Sequence, residues 1–316
     1  MIESRRSFVV GIKTTKLLKN EILFLRKYKP WGIILFSRNI NDLNQVKLLV
    51  QNIKKIFRDK NYPIFIDEEG GPVSRLKNII DSSIFSAKFF GNLYSKNKKK
   101  FNIYSEIYVK QISYLLNEIG ININTVPVLD IKRKKTSEVI GDRSYSSLPK
   151  NVSKIGDFFI KAFTNEKIGT VIKHIPGHGF ASVDSHKLTP IVNEKANIIF
   201  KNDFKVFKSK KSFFAMTAHI IYKDLDPNNT ATHSKKIIKI IRNKIRFKNI
   251  IISDDISMKA LKFSIKINTL KAFAAGCNLV LHCNGNLNEM KIVAKNSPVI
   301  STFLIKKTSQ FYSFLS

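Results

Sequence analysis

Acidic residues are scarce: 23 Asp and Glu stand against 55 Lys and Arg, a formal net charge of +32 over 316 residues. That imbalance raises the case for an anionic partner such as nucleic acid. The basic residues, however, are spread along the whole chain among Ile and Asn rather than gathered into one stripe, which reads as compositional drift. Nucleic acid is therefore not expected as a partner. Cysteine is nearly absent, with only Cys277 and Cys283. No paired-Cys zinc spacing exists, and a chain of this size needs no disulfide staple. Long apolar runs are missing too. None approaches the roughly 18 to 20 residues of a membrane helix, and the first residues, "MIESRRSFVVGIKTTKLL", hold no stretch long enough for a signal peptide. The expectation is a soluble, cytoplasmic protein without membrane contact. Internal repeats and low-complexity linkers are also lacking.

What the chain does have is a rhythm. With 43% hydrophobic residues it can bury a large core. Short apolar runs rich in β-branched residues fall at 7–12, 31–37, 63–69, 121–129, 170–176, 213–219, 249–255 and 278–283. Between them lie segments of helical period, such as 42–59 behind an Asp/Asn cap, 152–167 and 234–247. Eight strands, each followed by a helix, predict an α/β fold: a (β/α)8 TIM-type barrel occupying residues 1–316 as one domain. An open doubly wound sheet would more often show a Gly-rich turn after the first strand, and "GIKTTK" is not one.

In a parallel barrel the active site forms at the C-terminal ends of the strands. The predicted strand ends carry Asp67 and Glu68, Asp130, Lys173 and His174, His219, and Asp254 and Asp255. A carboxylate there costs burial energy unless it is paired or used, so the recurrence points to an enzyme mouth.

Four stretches concentrate that chemistry. In "IISDD", alternation sends Asp254 and Asp255 to opposite sides. One can face a pocket while the other caps a helix opening at "ISMKALK"; both could equally be caps. In "IDEEGG", Asp67 ends a strand at a Gly pair that permits close backbone approach, and Arg75 could supply a donor fork; an ordinary turn with a surface salt bridge explains it as well. "GDRSY" places Arg143 in the connection after the fourth strand. "KHIPGHGFASVDSH" holds three histidines. If 184–186 is extended, Asp184 and His186 share a side, and a carboxylate beside an imidazole is what an acid/base histidine needs. Three histidines in one loop could also bind zinc, but no His-x-x-x-His helix pair is present.

In order along the chain, "IDEEGG…R", "IGDRSY", "KHIPGHG" with "DSH", "MTAHIIY" and "SDDISM" resemble the bacterial β-N-acetylhexosaminidases of glycoside hydrolase family 3, in their single-domain form that serves peptidoglycan recycling. "WGIILFSRN" and "AAGCNLVLHCN" fit as well, so the resemblance spans about residues 30 to 285. It implies Asp254 as nucleophile, His186 as acid/base paired with Asp184, and Asp67, Arg75, Arg143, Lys173 and His174 as ligands of the sugar. His178 would support the loop. It implies a retaining, two-step hydrolysis through a covalent glycosyl-enzyme, with no cofactor and no metal. The substrate would be N-acetylglucosamine linked to 1,6-anhydro-N-acetylmuramic acid, with or without peptide, acted on by a monomer.

The chain departs from that pattern at Phe180, where an acidic residue usually follows "GHG", at Pro72 and at Glu68. None removes a catalytic group. The basic run 132–135 is expected near the mouth, where it could draw in the carboxylates of muropeptides. Two other functions stay open: a phosphorylase transferring the sugar to phosphate, and a non-catalytic binder of nucleic acid or cell-wall fragments on the same scaffold.

Overall fold

The computed structural model describes residues 2–134, 136–138, 140–185 and 188–316. Eight parallel strands close into a barrel: β1 (Arg6–Gly11), β2 (Pro30–Leu35), β3 (Ile64–Ile66), β4 (Ile123–Asn124), β5 (Gly169–Ile175), β7 (Phe214–Thr217), β9 (Ile250–Asp255) and β10 (Leu279–His282). Each pairs with its neighbour in sequence, and β10 returns to β1 at Phe8–Val280 and Val10–His282. The remaining strands, β6 (Ile191–Val192) and β8 (Ile221–Tyr222), form a separate parallel pair above the barrel. All eight apolar runs of the sequence are barrel strands.

Period-two alternation builds two cores. Val9, Ile34, Phe65, Val171, Phe214 and Ile252 point into the lumen. Their neighbours Phe8, Val10, Ile33, Ile64, Ile172 and Ile251 pack outward against the helices. Helix α2 (Leu43–Phe57) shows why such segments are helical. Val46, Leu49, Val50 and Ile53 bury one face, and the Asp42 side chain accepts the Gln45 N–H at 2.9 Å. Helices α5 (Pro149–Asn165) and α7 (Lys235–Asn243) occupy the expected positions, α5 opening on Pro149 and α7 capped by Ser234. The last helix, α10 (Thr302–Leu315), closes the bottom of the barrel: Leu304 and Phe311 join the lumen core, and Thr308 accepts the Trp31 indole N–H at 2.9 Å.

Two expectations fail for physical reasons. The fourth strand is cut to two ladder residues because Pro127 has no N–H to donate. The chain nonetheless stays beside β5, with the Leu129 N–H on the Lys173 carbonyl at 2.7 Å. No helix opens at "ISMKALK". Residues 256–262 are turns, and the helix begins at Ile265, where Ser264 caps it. Among the described residues, no helix is long and apolar enough to cross a membrane.

Candidate active site

At the C-terminal ends of the strands lies a cavity of about 380 Å³, within the roughly 300–1,000 Å³ range of small-ligand pockets. Asp67, Arg75, Arg143, Lys173, His174 and Asp254 all line it. Six residues from four separate stretches are thus brought together. Asp184 is half-buried in the loop after β5 and is not among the lining residues, whereas Ser185 is. The Asp184 carbonyl accepts the Leu188 N–H at 3.0 Å. The expected pairing of Asp184 with His186 falls outside the described residues. His186 lies outside the described residues.

One wall is an ionic lattice. Lys173 Nζ reaches Asp67 at 3.2 Å and Glu69 at 2.6 Å and donates to Thr125 Oγ1 at 2.8 Å. Arg143 binds Glu69 through Nε at 2.8 Å and its terminal nitrogen at 2.9 Å, a two-pronged pair. Arg75 approaches Asp67 at 3.4 Å. Burial by itself would raise both carboxyls. Lys173 and Arg75 outweigh it at Asp67, which titrates well below the usual range, and Arg143 with Lys173 holds Glu69 down to about 2. Beneath them Glu68 is fully buried and accepts from Ser82 Oγ, Ser74 Oγ and the N–H groups of Arg75 and Leu76. Acceptor-only chemistry suits a carboxylate there, and it shapes the turn that carries Arg75.

The second wall is built on Asp130, fully buried just after β4. It accepts from His174 Nδ1 at 2.6 Å and from the His178 N–H at 2.7 Å. Burial opposes its ionisation, but His174 beside it pulls its pKa below the ordinary value. An ionised Asp130 makes Nδ1 of His174 the donor and leaves Nε2 for a ligand. His178 packs edge-to-face on His174, with ring centres 5.9 Å apart. Neither of its ring nitrogens has a hydrogen-bond partner among the described residues, and burial lowers it to about 4, so its ring is neutral near pH 7.

At the third wall, Asp254 ends β9 inside the cavity. Its Oδ1 accepts the Asp255 N–H at 2.7 Å. Burial would raise it, but His219, His174, that N–H and Lys173 combine to lower it, so it stands as a carboxylate. Asp255 turns away to Ser257 and the Cys283 N–H. His219 links the strands: its Nε2 lies 3.0 Å from the Asp255 carbonyl and its Nδ1 2.7 Å from Thr232 Oγ1. Asp130, Glu69 and His219 are site residues to which the sequence reading gave no role. Their only signal was position, at or just beyond strand ends. Among the described residues no group of three His, Cys, Asp or Glu is placed to hold a metal.

The basic run lies in the loop after β4, and none of its described residues lines the cavity. Arg133 is bound to Asp203 and covers the Phe180 ring, Lys134 is exposed, and Lys135 is outside the described residues.

Comparison with known proteins decides the family. The profile described as "Glycosyl hydrolase family 3 N terminal domain" matches residues 10–306. The chain belongs to glycosyl hydrolase family 3. A β-hexosaminidase of Actinobacillus pleuropneumoniae serotype 5b is 32% identical over 286 residues, 87% of this chain and 80% of that protein. One from Actinobacillus succinogenes is 30% identical over 284 residues, covering 88% and 81%. Among solved structures, native NagZ from Neisseria gonorrhoeae superposes with a TM-score of 0.81 at 25% identity, over 99% of this chain and 96% of that one. The β-N-acetylglucosaminidase of Paenibacillus sp. FPU-7 shares the fold with a TM-score of 0.84 at 22% identity, over 99% and 61%. This family 3 protein is a glycoside hydrolase of the β-hexosaminidase kind. In that light the cavity offers an ionised carboxylate, Asp254, facing a rim of cations and imidazoles suited to hydroxyls and amides.

Proposed function

We propose that the chain is a retaining exo-β-N-acetylglucosaminidase. It would release terminal N-acetylglucosamine from the 1,6-anhydro-N-acetylmuramic acid fragments of peptidoglycan, acting in the cytoplasm as a one-domain monomer. Asp254 attacks the anomeric carbon as the glycosidic C–O bond breaks and the aglycone oxygen leaves with a proton from the acid; water, giving its proton to the same group, then displaces Asp254 and releases the sugar. Asp67, Arg75, Arg143, Lys173 and His174 hold the N-acetylglucosamine.

The observation that carries this reading is the protonation pattern. Retaining enzymes generally use a second carboxyl as acid. In this cavity Asp67, Glu69, Asp130 and Asp254 all titrate below their ordinary values. None holds a proton near pH 7. Those four groups support a carboxylate nucleophile, and a histidine is the proposed proton donor. His178, neutral down to about pH 4, is a poor candidate. His186, on the same loop as Asp184, is the better one.

The test is incubation with an aryl N-acetylglucosaminide and with a muropeptide, with and without phosphate, products being identified by mass and the first-formed anomer by proton NMR. Free N-acetylglucosamine with the β-anomer formed first supports the reading. A sugar 1-phosphate would replace hydrolysis by phosphorolysis, and first-formed α-anomer would exclude retention.

A further inference from the structure

The loop after β5 that carries Asp184 is pinned at its root by a contact outside the cavity. Arg133, from the loop after β4, binds Asp203 with both terminal nitrogens, at 3.2 and 2.6 Å. The Arg133 guanidinium carbon lies 3.6 Å from the centre of the Phe180 ring. Asp203 is almost fully buried at the end of the helical segment that follows the loop, and it also accepts the Gly179 N–H at 3.0 Å. Two further bonds tie the same two loops, Thr136 Oγ1 to the Gly179 carbonyl at 2.6 Å and Ser137 N–H to the Ala181 carbonyl at 2.9 Å, and the Arg133 N–H braces Thr136 Oγ1 within its own loop at 2.7 Å. The glycines of "PGHG" make room for this. A Cβ on Gly177 would come within 2.6 Å of the Asp203 Cβ, and one on Gly179 within 2.6 Å of Asp203 Oδ1.

We propose that Arg133 is a positioning residue for the proton-transfer step. Held between Asp203 and Phe180, it fixes the Gly177–Ala181 turn, and through it the loop that presents the acid/base group. The proposal rests on the reading of that loop given above. The clamp touches neither Asp254 nor the sugar-binding wall. Its loss should therefore affect proton transfer and leave nucleophilic attack intact. A cation held flat on a ring and paired with a buried carboxylate is worth more than an exposed ion pair. Lys has the charge but not the planar fork.

The experiment compares wild type, Arg133→Met and Arg133→Lys on two substrates. Chitobiose has a sugar leaving group that needs a proton. 2,4-Dinitrophenyl β-N-acetylglucosaminide has one that does not. Misplacing a reacting group by an ångström costs up to about 10²-fold. Arg133→Met should thus lose roughly 10- to 100-fold in kcat/KM on chitobiose, while the pre-steady-state release of dinitrophenolate stays within about twofold. Arg133→Lys should recover part of the loss. Amide hydrogen exchange should quicken in 177–185 of Arg133→Met and nowhere in β9. Equal losses on both substrates, or no loss on chitobiose, would overturn the positioning role; unchanged exchange would overturn the clamp itself. If wild type cleaves neither substrate, the proposed function fails, and the exchange comparison still decides whether the clamp exists.

Discussion

Asp130 and His174 are joined across the tips of two adjacent barrel strands by a hydrogen bond of 2.6 Å from Nδ1 to Oδ2. The carboxylate is fully buried, and it sets which ring nitrogen of His174 faces the cavity.

Asp130→Asn tests that tautomer control. The amide can donate to Nδ1 and so turn the ring's other nitrogen from acceptor to donor, or the reverse. A mispaired buried hydrogen bond costs about 1–3 kcal/mol, roughly 5- to 150-fold in kcat/KM. Because His174 is proposed to grip the sugar, most of this should appear as a raised KM. Steady-state kinetics at neutral pH check it. A KM equal to wild type would remove His174 from the binding wall.

Glu69→Gln should destabilise the fold more than most site substitutions. It leaves Lys173 and Arg143 buried with only Asp67 between them, and breaking a buried pair costs about 3–5 kcal/mol. The pH dependence has a definite sign. Glu69 ordinarily titrates at 4.5 and is held at about 2, so its contribution is full above 4.5 and fades as pH falls toward 2. At about 1.4 kcal/mol per unit this is roughly 3 kcal/mol. Urea unfolding at pH 7 and 3.5 should show a smaller acid loss for the variant. Identical losses would mean that folding does not lower the pKa of Glu69.

His178 has the same sign as Glu69, in a higher pH window. Burial lowers it from 6.5 to about 4, so the unfolded chain takes up its proton first. Stability is complete above 6.5 and is lost as pH falls toward 4, by about 3 kcal/mol at full span. Asp203, raised by burial to about 6, works in the opposite direction, gaining as pH falls below 6. The difference between wild type and His178→Leu isolates the imidazole. That variant should unfold with a flatter pH dependence between 7 and 4.5, and parallel curves would contradict a neutral buried ring.

The barrel was legible because strand burial writes itself into short apolar runs, and all eight of them became staves. Alternation put Asp254 and Asp255 on opposite sides without saying which meets the pocket, and they do face opposite ways. Pairings across the barrel were not legible. Asp130 and His174 lie 44 residues apart, and Arg133 and Asp203 lie 70 apart. Barrel closure makes them neighbours, and no local spacing encodes it. The same holds for Arg133, which looked like part of a free basic run until Asp203 and Phe180 were found on either side. The missing helix at 256–262 has a local cause: Asp255 bonds its own Ser257 and turns the chain before a helix can start.

The division of labour between Asp254 and His186 is tested most directly by one measurement: turnover of 2,4-dinitrophenyl β-N-acetylglucosaminide by His186→Ala, with and without azide, beside Asp254→Ala. Without its acid the histidine variant should still be glycosylated at a near-normal rate by this activated substrate. Chitobiose should suffer the loss of about 10²–10⁴-fold that general acid catalysis supplies. With no base to activate water, dinitrophenolate should appear as a burst, and azide should restore turnover as the β-glycosyl azide. Asp254→Ala should show no burst and no azide product on either substrate. Equal slowing of both substrates by His186→Ala, without burst or azide product, would contradict the account.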